Sequence, residues 1–156
     1  MFFLLAPGVV AGLVPWWFTG WRFDTPLPFW TPFRIVGGVL IVAAIAVLLG
    51  SFARFVAEGV GTPAPVAPPQ HLVIGGLYRY VRNPMYVAVV TAISGQALLF
   101  GRLLLLVYAL VVLATTFAFV RLYEEPALIE KFGAEYDQYR RHVPGWWPRL
   151  RPWKPG

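Results

Sequence analysis

Four stretches free of Asp, Glu, Lys and Arg alternate with short polar breaks along the chain, at residues 1–21, 35–53, 83–101 and 103–120. At about 1.5 Å per residue, helices of this size reach roughly 27–31 Å, which matches the hydrocarbon layer of a bilayer. The pattern predicts an all-α, polytopic transmembrane helical bundle with spans over about 1–21, 33–56, 83–101 and 103–121, in a single domain of 1–156. Pro7 and Pro15 predict a kink or a late start in the first span. Gly101-Arg102 is the break between the last two spans, so these are expected to form a tight hairpin.

Between the second and third spans, Gly59, Gly61, Pro63, Pro65, Pro68 and Pro69 favour an extended connection over a helix. His71-Leu72-Val73-Ile74 then reads as a short extended segment, Gly75-Gly76 as a turn and 77–81 as one helical turn. Asn83-Pro84 supplies an N-cap and a first-turn proline for the third span. Beyond the fourth span, Glu124-Glu125-Pro126 predicts a new helix start, where the helix dipole favours acids. Leu128, Phe132, Tyr136, Tyr139 and Val143 recur at helical spacing opposite Lys131, Glu135, Gln138 and Arg141, giving a cytoplasmic amphipathic C-terminal helix that Pro144 ends. Trp146, Trp147 and Trp153, among Arg149, Arg151 and Lys154, suit the headgroup layer. Gly37-Gly38 and Gly50 are expected to be close-packing points between helices.

Composition sharpens this picture: 58% of the residues are apolar and only 13% are charged, more apolar surface than a soluble domain of this size can hide. The absence of cysteine excludes disulfides, a thiolate nucleophile and a Cys-ligated metal, and no metal is expected. The net charge of +6 could suggest nucleic acid, but 10 of the 13 Lys and Arg follow the second or fourth span, and only Arg22, Arg34 and Arg102 lie on the other side. That asymmetry is a topology signal, which puts both termini and the 54–82 connection in the cytoplasm of a bacterial-type membrane and argues against a nucleic-acid partner. The N-terminus has no basic leader and is expected to be a retained helix rather than a signal peptide. No Gly-x-Ser-x-Gly elbow is present to support a lipid hydrolase.

The segment 71–86, His-Leu-Val-Ile-Gly-Gly-Leu-Tyr-Arg-Tyr-Val-Arg-Asn-Pro-Met-Tyr, is followed by the helical pair and then by Glu124-Glu125, Phe132-Gly133, Tyr136, Tyr139 and Val143-Pro144. This arrangement resembles the isoprenylcysteine carboxyl methyltransferase and phospholipid methyltransferase superfamily over residues 70–148, the expected cofactor-binding half. The resemblance implies S-adenosyl-L-methionine as cofactor, S-adenosyl-L-homocysteine as product and a lipophilic or lipid substrate drawn from among the membrane lipids. It also implies a cofactor pocket lined by His71, Leu72, Val73 and Ile74, by Asn83, Pro84 and Met85, and by Glu124 or Glu125. Asn83 stands where the family usually has His, and Ala88 where it usually has Gly. An Asn cannot carry a proton, so that position is left a positioning role.

Chemically, Tyr78 and Tyr86 offer aromatic faces to an adenine or a sulfonium, although span-end tyrosines also serve as interfacial anchors. Arg82 and Arg121 are the catalytic candidates, as cations able to meet an anionic part of the substrate or the cofactor carboxylate; topology alone also accounts for them. Arg140 and Arg141 are weaker candidates for the same role or for anionic lipid headgroups. A carboxylate acceptor would need no general base, whereas an amine or phenol would need one from among His71, Tyr78, Tyr86 and the glutamates. Carboxyl methylation of an isoprenylated substrate, methylation of phospholipid amines or thiols, and a non-catalytic structural or carrier role all remain open at this point.

Overall fold

The computed structural model describes residues 7–25, 28–59 and 76–154, without the side chains of 55–59. Among the described residues every regular element is helical: α1 Val9–Thr19, α2 Thr31–Gly59, α3 Pro84–Phe100, α4 Leu104–Phe119, α5 Glu125–Phe132 and α6 Ala134–His142, with a 3-10 turn at Gly76–Arg79. Two helices, Thr31–Arg54 and Leu104–Phe132, are long and apolar enough to cross a bilayer; Val9–Thr19 and Pro84–Phe100 are apolar but shorter. The predicted extended segment 71–74 and the connection from residue 60 onward lie outside the described residues, whereas Gly59, expected in that connection, is the last residue of α2.

The chain clusters into two units, one within Met1–Ala46 and Ala88–Thr115, the other within Val47–Val87 and Thr116–Gly156. In the first, α1 opens with a wide π-turn over Val9–Leu13 before becoming α-helical at Val14–Thr19. Pro15 has no N–H to give the Ala11 carbonyl four residues earlier. The Gln96 amide donates to that carbonyl instead, while its oxygen accepts from Trp21 Nε1 at 2.9 Å. Tyr108 likewise donates its hydroxyl to the Val10 carbonyl at 2.7 Å. The distortion falls where Pro15 removes a donor, and the Gln96 and Tyr108 side chains meet the freed carbonyls.

At one end of the same unit, Arg34 Nη1 donates to the Leu99 carbonyl at 2.7 Å and Arg102 Nε to the Arg22 carbonyl at 3.2 Å. The three arginines assigned by sequence to one side are therefore neighbours. Gly101, at φ 65°, makes the tight turn between α3 and α4.

Gly37 and Gly95 let α2 and α3 approach closely. A Cβ on Gly37 would sit 2.5 Å from both the Gly95 carbonyl oxygen and the Leu99 nitrogen, whereas one on Gly38 would meet nothing within 4 Å. Gly37→Ala is expected to cost about 1–3 kcal/mol through backbone overlap, and Gly38→Ala to be neutral or stabilising by up to about 1 kcal/mol. Denaturant titration in mixed micelles checks this, and equal behaviour of the two variants contradicts it. The sequence expectation of close packing therefore holds at Gly37 and not at Gly38; at Gly50 only the Leu77 side chain comes within ordinary contact, 3.7 Å.

The second unit departs from the sequence pattern in three places. The chain does not start a new helix at Glu124: it stays helical from α4 through a π-turn at Val120–Glu124, with the Glu125 N–H bonded to the Val120 carbonyl. Pro126 explains this as Pro15 does in α1, because the wide turn absorbs a donor that proline lacks. The C-terminal amphipathic helix is broken at Gly133, whose φ of 56° and ψ of −121° only glycine adopts readily. Trp153 is buried rather than interfacial; it packs with Tyr78, Tyr136, Tyr139 and Val143, against which Leu128 and Phe132 rest. The apolar positions read from the sequence thus share a core, but two helices and the returning tail build it.

Candidate active site

The site begins with backbone hydrogen bonds that fix the 78–83 segment. Tyr80 O accepts from the Arg149 N–H and Arg79 O from the Trp153 N–H, both at 3.0 Å. Arg82 and Asn83 donate their N–H groups to Pro144 O at 2.9 Å and Gly145 O at 3.2 Å. Side chains repeat the pairing: Arg79 Nε donates to Trp153 O at 3.0 Å, Asn83 Nδ2 to Gly145 O at 3.0 Å, and the Tyr139 hydroxyl to Tyr78 O at 2.6 Å. The end of the 3-10 turn and the irregular residues after it thus have polar backbone groups met by the tail. Pro84, fully buried, then begins α3.

Arg82 is the clasp of this assembly. Its Nε donates to Val143 O at 2.9 Å, and one terminal nitrogen to Glu125 Oε1 at 3.0 Å and to the Tyr136 hydroxyl at 3.1 Å. The Arg82 and Glu125 side chains are only 14% and 12% exposed. Gly145 leaves room for the guanidinium, since a Cβ there would sit 3.0 Å from Arg82 Nη2. Burial pushes the Tyr136 hydroxyl above its ordinary titration range, against the pull of the nearby Arg82 charge, so it stays protonated.

The two adjacent glutamates face different partners. Glu125 pairs with Arg82 and, at 3.9 Å, with Arg140. Glu124, at the end of the π-turn, accepts the Tyr86 hydroxyl. The Tyr86 ring lies against Trp146, centroids 6.3 Å apart and planes 26° apart, and Phe117 approaches the same indole at 5.6 Å. Beside Glu125, an open cleft of roughly 500 Å³ is lined by Arg82, Arg121, Glu125, Pro126, Ile129 and Arg140. Arg82 and Arg140 are paired with Glu125, and Arg140 also with Asp137, so Arg121 is the lining cation that gives the cleft its positive excess.

Of the residues singled out from sequence, Tyr86, Glu124, Glu125, Arg82 and Arg121 fall in or beside this region. Asn83 and Met85 are half-buried, with the Asn83 amide nitrogen committed to Gly145. Tyr78 is in the aromatic core, with Tyr136, Tyr139, Val143 and Trp153. His71, Leu72, Val73 and Ile74 lie outside the described residues. Trp146 and Gly145 were missed: the Trp pair reads as a headgroup anchor, and no spacing in the sequence announces that the chain turns back at Pro144 to lay residue 146 on Tyr86.

The family described as phospholipid methyltransferase matches residues 32–135. The protein-S-isoprenylcysteine O-methyltransferase of Schizosaccharomyces pombe is 36% identical over 79 residues, 51% of this chain and 34% of that relative. The similarity thus spans only about a third of the relative's length. No solved structure matches the chain.

Proposed function

Because the chain belongs to the phospholipid methyltransferase family, we propose that it is an integral membrane methyltransferase that uses S-adenosyl-L-methionine to methylate a lipophilic substrate. The observation that carries this reading is the Tyr86–Glu124 hydrogen bond, with the Tyr86 ring against Trp146, in the same unit as an arginine-lined cleft bordered by Glu125. An S-adenosyl amino acid asks for an aromatic surface, an anion for its ammonium and a cation for its carboxylate. The second unit contains a group of each kind, so its residues fit the cofactor. When bound, the cofactor supplies a methyl group carried on a positively charged sulfonium.

This chain's own residues bind and orient. Glu124 has a carboxylate oxygen held by the Tyr86 hydroxyl, and it is the partner for an ammonium group. The faces of Tyr86 and Trp146 suit an adenine or a sulfonium cation. Arg121, exposed on the cleft, and Arg140 meet the acidic group of the substrate or of the cofactor. Arg82 has most of its donors committed within the protein and is proposed to hold the cleft wall in place. Positioning supplies most of the rate in such a displacement, and a water-poor site strengthens each of these charge interactions. His71, Leu72, Val73 and Ile74, with Asn83, Pro84 and Met85, complete the proposed pocket, Pro84 through packing alone.

We further propose that α1 to α4 form four spans of one methyltransferase domain over 1–156, with both termini and the site in the cytoplasm. The basic residues gathered after the second and fourth spans support that orientation. For the acceptor, the partial likeness to the isoprenylcysteine methyltransferase favours a carboxylate, which needs no general base. Phospholipid amines and thiols are the alternatives within the family. Membranes carrying the protein, incubated with methyl-labelled cofactor and a panel of lipophilic acids, amines and thiols, decide the matter. Label released by mild alkali is expected; alkali-stable label redirects the assignment to amines or thiols, and no label leaves the structural or carrier reading.

A further inference from the structure

The last nine described residues, 146–154, contain Arg149, Arg151 and Lys154 and no acidic residue. Their backbone is pinned at two points, by the Arg149 N–H to Tyr80 O and the Trp153 N–H to Arg79 O, each at 3.0 Å. Between and beside these pins the chain turns large apolar groups outward: Leu150 is 99% exposed and Trp147 69% exposed. Arg151 and Lys154 are exposed and form no ion pair among the described residues. A fixed loop that holds out a Leu and a Trp, ringed by unneutralised cations, has no reason to face bulk water.

We propose that this surface docks on anionic lipid headgroups, with Trp147 and Leu150 seated in the interfacial layer and Arg151 and Lys154 on the lipid phosphates. The charge selects the occupant. Zwitterionic lipid rewards only the apolar pair, whereas anionic lipid also draws the cations, each with an energy large enough to concentrate such lipid several-fold around the loop. The exposed, amphipathic ring of Trp147 suits the headgroup level. The same segment supplies Gly145 and Trp146 to the candidate site, yet the lipid contact itself does not depend on any catalytic activity.

The test uses the full chain in nanodiscs of phosphatidylcholine containing phosphatidylglycerol, with bromine on the acyl chains of one lipid or the other. The signal of Trp147 is obtained as the difference between the wild type and Trp147→Phe. Quenching is expected to be about twofold or more stronger with brominated phosphatidylglycerol than with brominated phosphatidylcholine. That preference should vanish in Arg151→Gln/Lys154→Gln and at about 1 M salt, where the screening length falls to roughly 3 Å. Both side chains are exposed, so the double variant should retain its circular dichroism; Leu150→Ser serves as a second variant, expected to reduce quenching by both lipids. Equal quenching by the two lipids overturns the anionic preference. No quenching by either overturns the docking itself and leaves the surface to an acidic protein partner.

Discussion

Arg82→Ala is expected to destabilise the protein by about 3–5 kcal/mol, the usual cost of leaving one member of a buried ion pair alone. Four groups lose a partner or a support at once. Glu125 keeps only the distant Arg140 at 3.9 Å, and the Val143 carbonyl and Tyr136 hydroxyl lose donors. The guanidinium that packs over Gly145 also disappears. Arg82→Lys should recover only part of the loss, because a point charge on a flexible stem cannot reproduce the planar fork. Arg82→Met combined with Glu125→Leu should be less destabilised than Arg82→Ala, since neither charge is then stranded. Denaturant titration in mixed micelles measures all three, and a loss below about 1 kcal/mol for Arg82→Ala would reduce the contact to a surface ion pair.

Glu124→Ala is expected to weaken S-adenosyl-L-homocysteine binding about 10- to 100-fold, the range for losing a charge-assisted hydrogen bond. Glu124→Gln keeps the shape and can still accept the Tyr86 hydroxyl, but it removes the charge that an ammonium group senses, so it should fall close to alanine. Tyr86→Phe keeps the ring against Trp146 and removes the hydroxyl that orients the carboxylate; its loss should be about tenfold or less. Because the two side chains touch, the double variant should lose less than the sum of the singles. Additive losses would show that Tyr86 and Glu124 act separately. In Glu124→Ala the Glu125–Arg82 pair is untouched, so affinity should fall far more than stability.

Much of the helical pattern was legible because hydrophobicity decides it: charge-free runs of helical length can satisfy their backbone in lipid only by coiling. The resemblance sets Tyr86 and Glu124 in one expected pocket, and the two do meet. What escaped depends on backbone details that side-chain patterns do not encode. The spacing of Leu128, Phe132, Tyr136, Tyr139 and Val143 fits one helix as well as two, and only the left-handed φ of Gly133 divides them. Glu124-Glu125-Pro126 resembles a helix start because a π-turn followed by proline presents the same residues as a fresh N-terminus. Trp146 and Trp153 look interfacial by composition, but a tail pinned to Arg79 and Tyr80 carries one onto Tyr86 and buries the other in the tyrosine cluster. Arg82 was legible as a candidate cation, but nothing in its sequence neighbourhood reveals its bonds to Val143, Glu125 and Tyr136.

The most direct test is calorimetric titration of the detergent-solubilised wild type with S-adenosyl-L-homocysteine, alongside Glu124→Ala. Saturable heat corresponding to one site per chain in the wild type, sharply reduced in the variant, is the predicted result. An absence of both heat and thermal stabilisation in the folded wild type would contradict the assignment of Tyr86, Glu124 and Trp146 to a cofactor site.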